Sequence, residues 1–173
     1  MQRVIPWFVL KNVPGIGNLL FKRLILHFGN PRSVLAASLQ KLLKVEGISK
    51  QVAEAIQKHK VSDKVKKELD LVNQNQFRIV TLTDPDYPAL LLQIPDPPPF
   101  LYATGALGNS NDKIAVVGSR NATSYGILTT QRICRDLAVN GLTVVSGMAR
   151  GIDSAAHRGT IAGGGRTIAV LGS

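Results

Sequence analysis

Along the first 75 residues, apolar positions recur every three or four residues, as in Leu19, Leu20, Leu24, Ile25 and Phe28. That spacing predicts an amphipathic helix, because residues three and four apart share one helix face. Stretches of the same kind run over 34–43, 49–59 and 63–73, and Gly29-Asn30-Pro31 is a stop signal between two of them. After residue 76 the period changes. Phe77-Arg78-Ile79-Val80-Thr81-Leu82 reads as a strand, and Phe100-Leu101-Tyr102-Ala103 reads as a second, short one. Between them lie Asp84-Pro85-Asp86-Tyr87-Pro88, an apolar stretch to Ile94, and Pro95-Asp96-Pro97-Pro98-Pro99, which the fixed φ of proline keeps extended.

From Lys113 onward, short apolar runs alternate with helical spacing. Ile114-Ala115-Val116-Val117 is continuous, as expected of a parallel strand buried on both faces. Residues 125–139 are helical in spacing and closed by Asn140-Gly141; 142–145 is a strand, 153–162 a helix and 167–171 a third strand after Gly163-Gly164-Gly165. The pattern predicts an α/β fold with the start of a doubly wound parallel sheet, preceded by a small all-α region. Three segments follow: helices over 1–75, a connector over 76–112, and the sheet over 113–173. The third strand is followed at once by Gly172-Ser173, too few strands for a whole open sheet, so the chain reads as a fragment.

The helical half holds a weak repeat. Val13-Pro14-Gly15-Ile16-Gly17 returns 32 residues later as Val45-Glu46-Gly47-Ile48-Ser49, each copy set between helices. This is the shape of a helix-hairpin-helix unit, whose turn can point first-turn amides at a phosphate. A small bundle using glycine only for tight turns, with Ile16 and Ile48 as core plugs, fits the same residues.

Charge adds a partner to this picture. The chain carries 21 Lys and Arg against 11 Asp and Glu, a net +10, which calls for a polyanionic partner, either nucleic acid or an anionic membrane surface. Residues 1–75 hold net +8 and 113–173 net +5, flanking an acidic 76–112 at net −3. The lysines between 60 and 67 fit a basic contact surface or a solvated helix face equally well. No apolar run reaches the roughly 18 residues of a membrane span, and the N-terminus lacks a signal-peptide cleavage site. The single cysteine, Cys134, cannot form an internal disulfide and sits at a core-like position. A cytoplasmic protein is expected.

Ligands of open parallel sheets bind beyond the carboxyl ends of the strands. Here all three strand ends share one chemistry: Gly118-Ser119-Arg120, Ser146-Gly147 and Gly172-Ser173. Glycine admits close backbone approach, serine adds a hydroxyl, and the following helix offers amides to an anion. Arg120 is the main cation expected there, with Arg150 beside the second loop, because a guanidinium grips phosphate oxygens in a bidentate way. Asp153 is expected to cap the helix it begins and so hold the loop. His157, one turn on, reaches the ligand or is a satisfied core histidine. Tyr125 is the sole aromatic of 113–173, so binding is expected to be led by phosphates, weakly sequence-selective and strongly salt-dependent.

Catalytic patterns are missing from the sequence. No dinucleotide fingerprint follows the first strand, no phosphate-loop motif occurs, and no serine stands in a nucleophile elbow. Histidine and cysteine are too scattered for a metal site, and no cofactor is expected.

Residues 114–126, Ile-Ala-Val-Val-Gly-Ser-Arg-Asn-Ala-Thr-Ser-Tyr-Gly, resemble the first signature of the DNA-processing protein A family (DprA, also called Smf). Residues 141–157, from Gly141 through Ser146-Gly147-Met148-Ala149-Arg150-Gly151-Ile152-Asp153 to His157, resemble its second, and 167–173 resemble the opening of its third. Tyr87-Pro88, Pro97-Pro98-Pro99, Leu101-Tyr102 and Gly105 fit the connector of that family. The resemblance implies a Rossmann-like domain preceded by a small domain like a sterile alpha motif. It implies a non-enzymatic recombination mediator of natural transformation that binds and protects single-stranded DNA and loads the RecA recombinase onto it. Its pocket residues carry over to Gly118, Ser119, Arg120, Ser146, Gly147, Met148, Arg150 and Gly151. It also implies a homodimer, formed through a later part of the Rossmann domain that 113–173 does not reach. Two other readings stay open: a phosphoribohydrolase-like nucleotide-processing enzyme, and a protein-interaction role for the helical half. Gly163-Gly164-Gly165-Arg166-Thr167 imitates the loop such an enzyme needs, but it precedes a strand and lacks the glutamate.

Overall fold

The computed structural model describes residues 2–107 and 112–172. The chain divides into two compact units, Met1–Leu107 and Gly108–Ser173. In the first, six helices come in succession: α1 (Ile5–Lys11), α2 (Asn18–Phe28), α3 (Pro31–Leu35), α4 (Leu39–Leu42), α5 (Lys50–Lys58) and α6 (Asp63–Gln74). Then come β1 (Arg78–Thr81), the short α7 (Ala89–Leu92) and β2 (Phe100–Ala103). The single helix expected over 34–43 is two. The chain leaves the helix at Ala36 and restarts after Ser38, whose extended backbone makes it the N-cap of α4.

Local chemistry explains most boundaries. Asn30 accepts the Ser33 amide and Pro31 supplies the preset φ of a first helical residue, so α3 begins there. Ser49 and Ser62 accept the Val52 and Val65 amides and start α5 and α6. The sequence repeat is a structural repeat as well. Gly15 and Gly47 both have φ +87, and Ile16 and Ile48 each donate an amide hydrogen bond of 3.2 Å, to Val13 and Val45 respectively. The two turns pack reciprocally. A Cβ on Gly15 would lie 2.8 Å from Val52 at the start of α5, and one on Gly47 would lie 3.0 Å from Arg23 and 3.9 Å from Leu20 on α2. Each hairpin thus rests on the helix that follows the other, which accounts for a glycine in both.

β1 and β2 form an antiparallel pair, with Val80 opposite Leu101. Side chains from both faces of the pair join the helical core: Val80 and Ala103 on one face and Phe100 on the other are buried in one cluster with Phe8, Leu10, Phe21, Leu24, Leu42, Ile56 and Val65. Phe8 is fully buried and stacks on Phe100 at 4.5 Å between ring centroids. Tyr87 is buried and donates to the Pro98 carbonyl at 2.8 Å, fastening the proline segment; burial pushes its phenol up to about 12.

The second unit contains β3 (Lys113–Ala115), α8 (Ser124–Val139), β4 (Thr143–Ser146), α9 (Ile152–Ala162) and β5 (Thr167–Ala169). The three strands are parallel in the order β3-β4-β5, in register Ile114↔Val144↔Thr167 and Ala115↔Val145↔Ile168. Because successive crossovers step the same way with the same hand, both helices lie on one face, where α8 and α9 pack on each other and on β4. Val144, Cys134 and Ala156 form the buried centre there, with Val116 and Leu137 against them. Burial pushes the Cys134 thiol up, as suits a core residue.

The expectation that residues 114–117 are buried on both faces is not met. Ile114, Ala115 and Val117 are exposed, because β3 is an edge strand and both described helices cover the same face. Strand alternation puts Ala115, Val117, Val145, Ile168 and Val170 on the other face.

Because the Phe8–Phe100 stack joins helices to hairpin, Phe8→Ala should cost about 3–5 kcal/mol, the usual loss for a buried phenylalanine. Urea unfolding followed by the fluorescence of Trp7, the single tryptophan, reads this out; a loss below about 1 kcal/mol would show that the stack couples nothing.

Candidate nucleic-acid interface

Two loops stand at the carboxyl end of the sheet, one running from β3 to α8 and one from β4 to α9. The first leaves β3 after the Val116 amide donates to the Val145 carbonyl at 2.9 Å. It turns at Ser119, whose hydroxyl accepts the Asn121 amide at 3.1 Å, and ends at Thr123, the N-cap of α8, which accepts the Gly126 amide at 3.1 Å. Arg120 is exposed on this loop and has no ion pair or hydrogen-bond partner among the described residues.

The second loop is more constrained. Met148 has φ +59, a left-handed conformation uncommon for a residue with a Cβ, and its side chain is 56% exposed. Residues held this way cluster at ligand clamps, because surrounding contacts must maintain them. Gly151 has φ +83, and a Cβ there would lie 2.2 Å from the Ser119 carbonyl oxygen and 2.8 Å from that of Arg120. Ile152 completes the contact, donating its amide to the Ser119 carbonyl at 3.1 Å while its side chain fills the space a Gly118 Cβ would need, 2.7 Å away. Glycine at 118 and 151 thus lets the two loops touch backbone to backbone. Arg150, exposed and also without a partner among the described residues, is thereby carried on a loop adjoining that of Arg120.

Three sequence expectations change here. Asp153 does not cap α9; the cap position is Gly151, with no side-chain bond. Asp153 lies buried inside the first turn and its carboxylate points back, accepting the Ala149 amide at 3.4 Å. Ser154 does similar work, donating its hydroxyl to the Ala149 carbonyl at 2.5 Å. Ser146 offers no hydroxyl to a ligand, since it is buried and donates to the Val116 carbonyl at 2.7 Å, tying β4 to β3. The amides of α9 are partly committed too, Ile152 to Ser119 and Ser154 to Ala149. Any anion at this end must rely on the arginines and loop amides more than on the start of α9.

His157 lies in the layer between α9 and the sheet, buried, with Nδ1 2.6 Å from the Thr167 hydroxyl oxygen. That hydroxyl donates to the Val144 carbonyl at 2.9 Å, so it accepts from His157 Nδ1–H, and Nε2 is left buried without a partner among the described residues. His157 is thus buried with Nδ1 satisfied and Nε2 not, which meets the description of a satisfied core histidine only in part. Gly172 is exposed beyond β5, and Ser173 lies outside the described residues.

One residue was undervalued in the sequence. Tyr125 sits in the first turn of α8 directly after the Arg120 loop and is 79% exposed. A single aromatic argues against extensive stacking, and only the structure shows that this one is left exposed at the start of the helix that follows the Arg120 loop. No groups of three or more metal-ligating side chains occur among the described residues, and no helix there is long and apolar enough to cross a membrane.

The sequence profile of the family described as DNA recombination-mediator protein A matches residues 78–173. The chain is 37% identical over 181 residues to Protein Smf of Synechocystis sp., covering 96% of this chain and 43% of that protein. It is 39% identical over 99 residues to DNA processing protein DprA of Streptococcus pneumoniae, covering 57% of this chain and 35% of that protein. The X-ray structure of DNA processing protein A from Streptococcus pneumoniae superposes with a TM-score of 0.73 at 28% identity, over 96% of this chain and 56% of that one. The chain spans less than half the length of these curated relatives.

The Thr167 hydroxyl serves two partners at once, so Thr167→Val, nearly isosteric, should destabilise the chain by about 1–3 kcal/mol by leaving the buried His157 Nδ1–H without its acceptor. Thermal unfolding measures the loss; an unchanged midpoint would show that the chain of hydrogen bonds does not form.

Proposed function

Because the chain belongs to the DNA recombination-mediator protein A family, we propose that it binds single-stranded DNA by its sugar–phosphate backbone at the paired loops of the second unit. The observation that carries this reading is a pair of exposed guanidiniums, Arg120 and Arg150, unpaired among the described residues, on loops locked together through Gly151 and Ser119. Cations without an internal partner, fixed on rigid backbone, lose little freedom on meeting phosphate oxygens. Ser119 and the backbone of Gly118, Gly147, Met148 and Gly151 shape the approach, and Asp153 holds the second loop from behind through Ala149. Ser146 spends its hydroxyl on tying β4 to β3 rather than on the strand of DNA. Tyr125 offers one face for stacking a base, a contact tolerant of sequence because every base has a π-face.

Membership of the family supports a wider role as part of the same proposal. The chain takes part in cytoplasmic DNA recombination during transformation, shielding incoming single strands and passing them to RecA recombinase, without bond-making chemistry of its own. No observation favours the nucleotide-processing alternative, whose required loop and glutamate do not occur at Gly163-Gly164-Gly165.

Anisotropy titration with labelled oligo-dT across a salt series tests the reading. Affinity should fall steeply with salt. Arg120→Ala should weaken it by about 1–3 kcal/mol, roughly five- to 150-fold, and lower the slope of log affinity against log salt by about 0.7, the value for one phosphate on a single strand. An unchanged slope in the variant would remove Arg120 from the site.

A further inference from the structure

The first unit carries a second set of cations that the loops above do not use. An open groove of about 600 Å³ runs beside the carboxyl end of α1 and along α6, lined by Lys11, Asn12, Lys64, Lys67, Glu68 and Leu71. Lys64, Lys67 and Leu71 are spaced three and four apart on α6 and so share one face. Neither Lys64 nor Lys67 has a carboxylate within ion-pair distance among the described residues. Asp63, which precedes Lys64, is paired with Lys66 at 2.9 Å. Glu68, the one carboxylate in the groove, accepts the Tyr102 hydroxyl, and Lys11 donates to Asn18 at 2.6 Å on the rim. Three ammonium groups around one carboxylate leave an excess of positive charge, which attracts a polyanion.

Aromatic rings mark the same edge. Tyr102, held at the groove by Glu68, is 43% exposed, and Phe77 beside it is 38% exposed, with the two rings edge to face at 6.2 Å. The other rings of this cluster, Phe8 and Phe100, are buried. Cations that can track a backbone next to exposed aromatic faces are the two components of a single-strand binding surface. A folded duplex offers no unstacked base to such rings, and an acidic protein surface gives no reason for them to stay exposed.

We propose that this groove is a second contact site for single-stranded DNA, with phosphates along Lys11, Lys64 and Lys67 and bases against Phe77 and Tyr102. It stands on its own residues, whether or not Arg120 binds the strand.

The test uses the full chain and oligo-dT anisotropy over a salt series, in both the parent and the Arg120→Ala chains. Lys64→Ala with Lys67→Ala should weaken binding tenfold or more at low salt and lower the salt slope by about 1.4, the value for two phosphates on a single strand. Phe77→Leu keeps apolar bulk without a π-face, and should weaken binding at least threefold with an unchanged slope. Lys66→Ala removes the same charge from a lysine outside the groove lining and should bind like its parent. Persistence of these losses in the Arg120→Ala chain separates this site from the loop site. If the groove lysines behave no differently from Lys66, the groove is a solvated helix face and the proposal fails. If the slope falls but Phe77→Leu binds normally, the stacking half fails.

Discussion

The backbone contact between Gly151 and the Ser119–Arg120 segment is the constraint on which the ligand-facing end of the second unit depends. A carbonyl oxygen lies where a Cβ would sit, so no side chain fits, and the Ile152 amide converts that proximity into a hydrogen bond. Two loops that would otherwise move separately become one surface. Met148 can then be held at positive φ, since its neighbours on both sides are fixed. Ile152 anchors the arrangement from below by packing under Gly118, where the first loop leaves its strand. The arginines ride on this frame with no partner among the described residues to compete for them.

Polar side chains around the frame divide by burial. Ser146, Asp153, His157 and Thr167 are all turned inward or toward backbone, and together they tie strand to strand, loop to helix and helix to sheet. Arg120, Arg150 and Tyr125 face solvent. A serine or aspartate at the end of a strand therefore carries no role by its type alone. The first unit repeats the lesson in its own terms: Lys66 is paired with Asp63, while Lys64 and Lys67, in the same helix, have no ion pair among the described residues.

Much of the fold was legible in the chain. The helices α2, α5, α6 and α8 and the strands β1, β2 and β4 stand within one or two residues of where periodicity and caps put them, because those signals are local. The hairpin repeat was visible too, through two glycines with matching neighbours. The break between α3 and α4 was not, since the apolar spacing of 34–43 suits one helix. Nor was the attachment of the β1–β2 pair to the helical core, which depends on Phe8 meeting Phe100 across more than ninety residues.

What the sequence determined by itself was the order of elements, the excess of positive charge, the glycines at the strand ends and the family signatures, all properties of neighbours along the chain. Tertiary structure alone decided which groups remain available. Whether Ser146 donates to a ligand or to Val116, whether Asp153 caps its helix or reaches back to Ala149, and whether Tyr125 is covered or free depend on contacts between elements that the chain separates by tens of residues. A hydrogen-bonding side chain has the same donors and acceptors in either case. Only the packing of strand, loop and helix fixes which partner lies within reach.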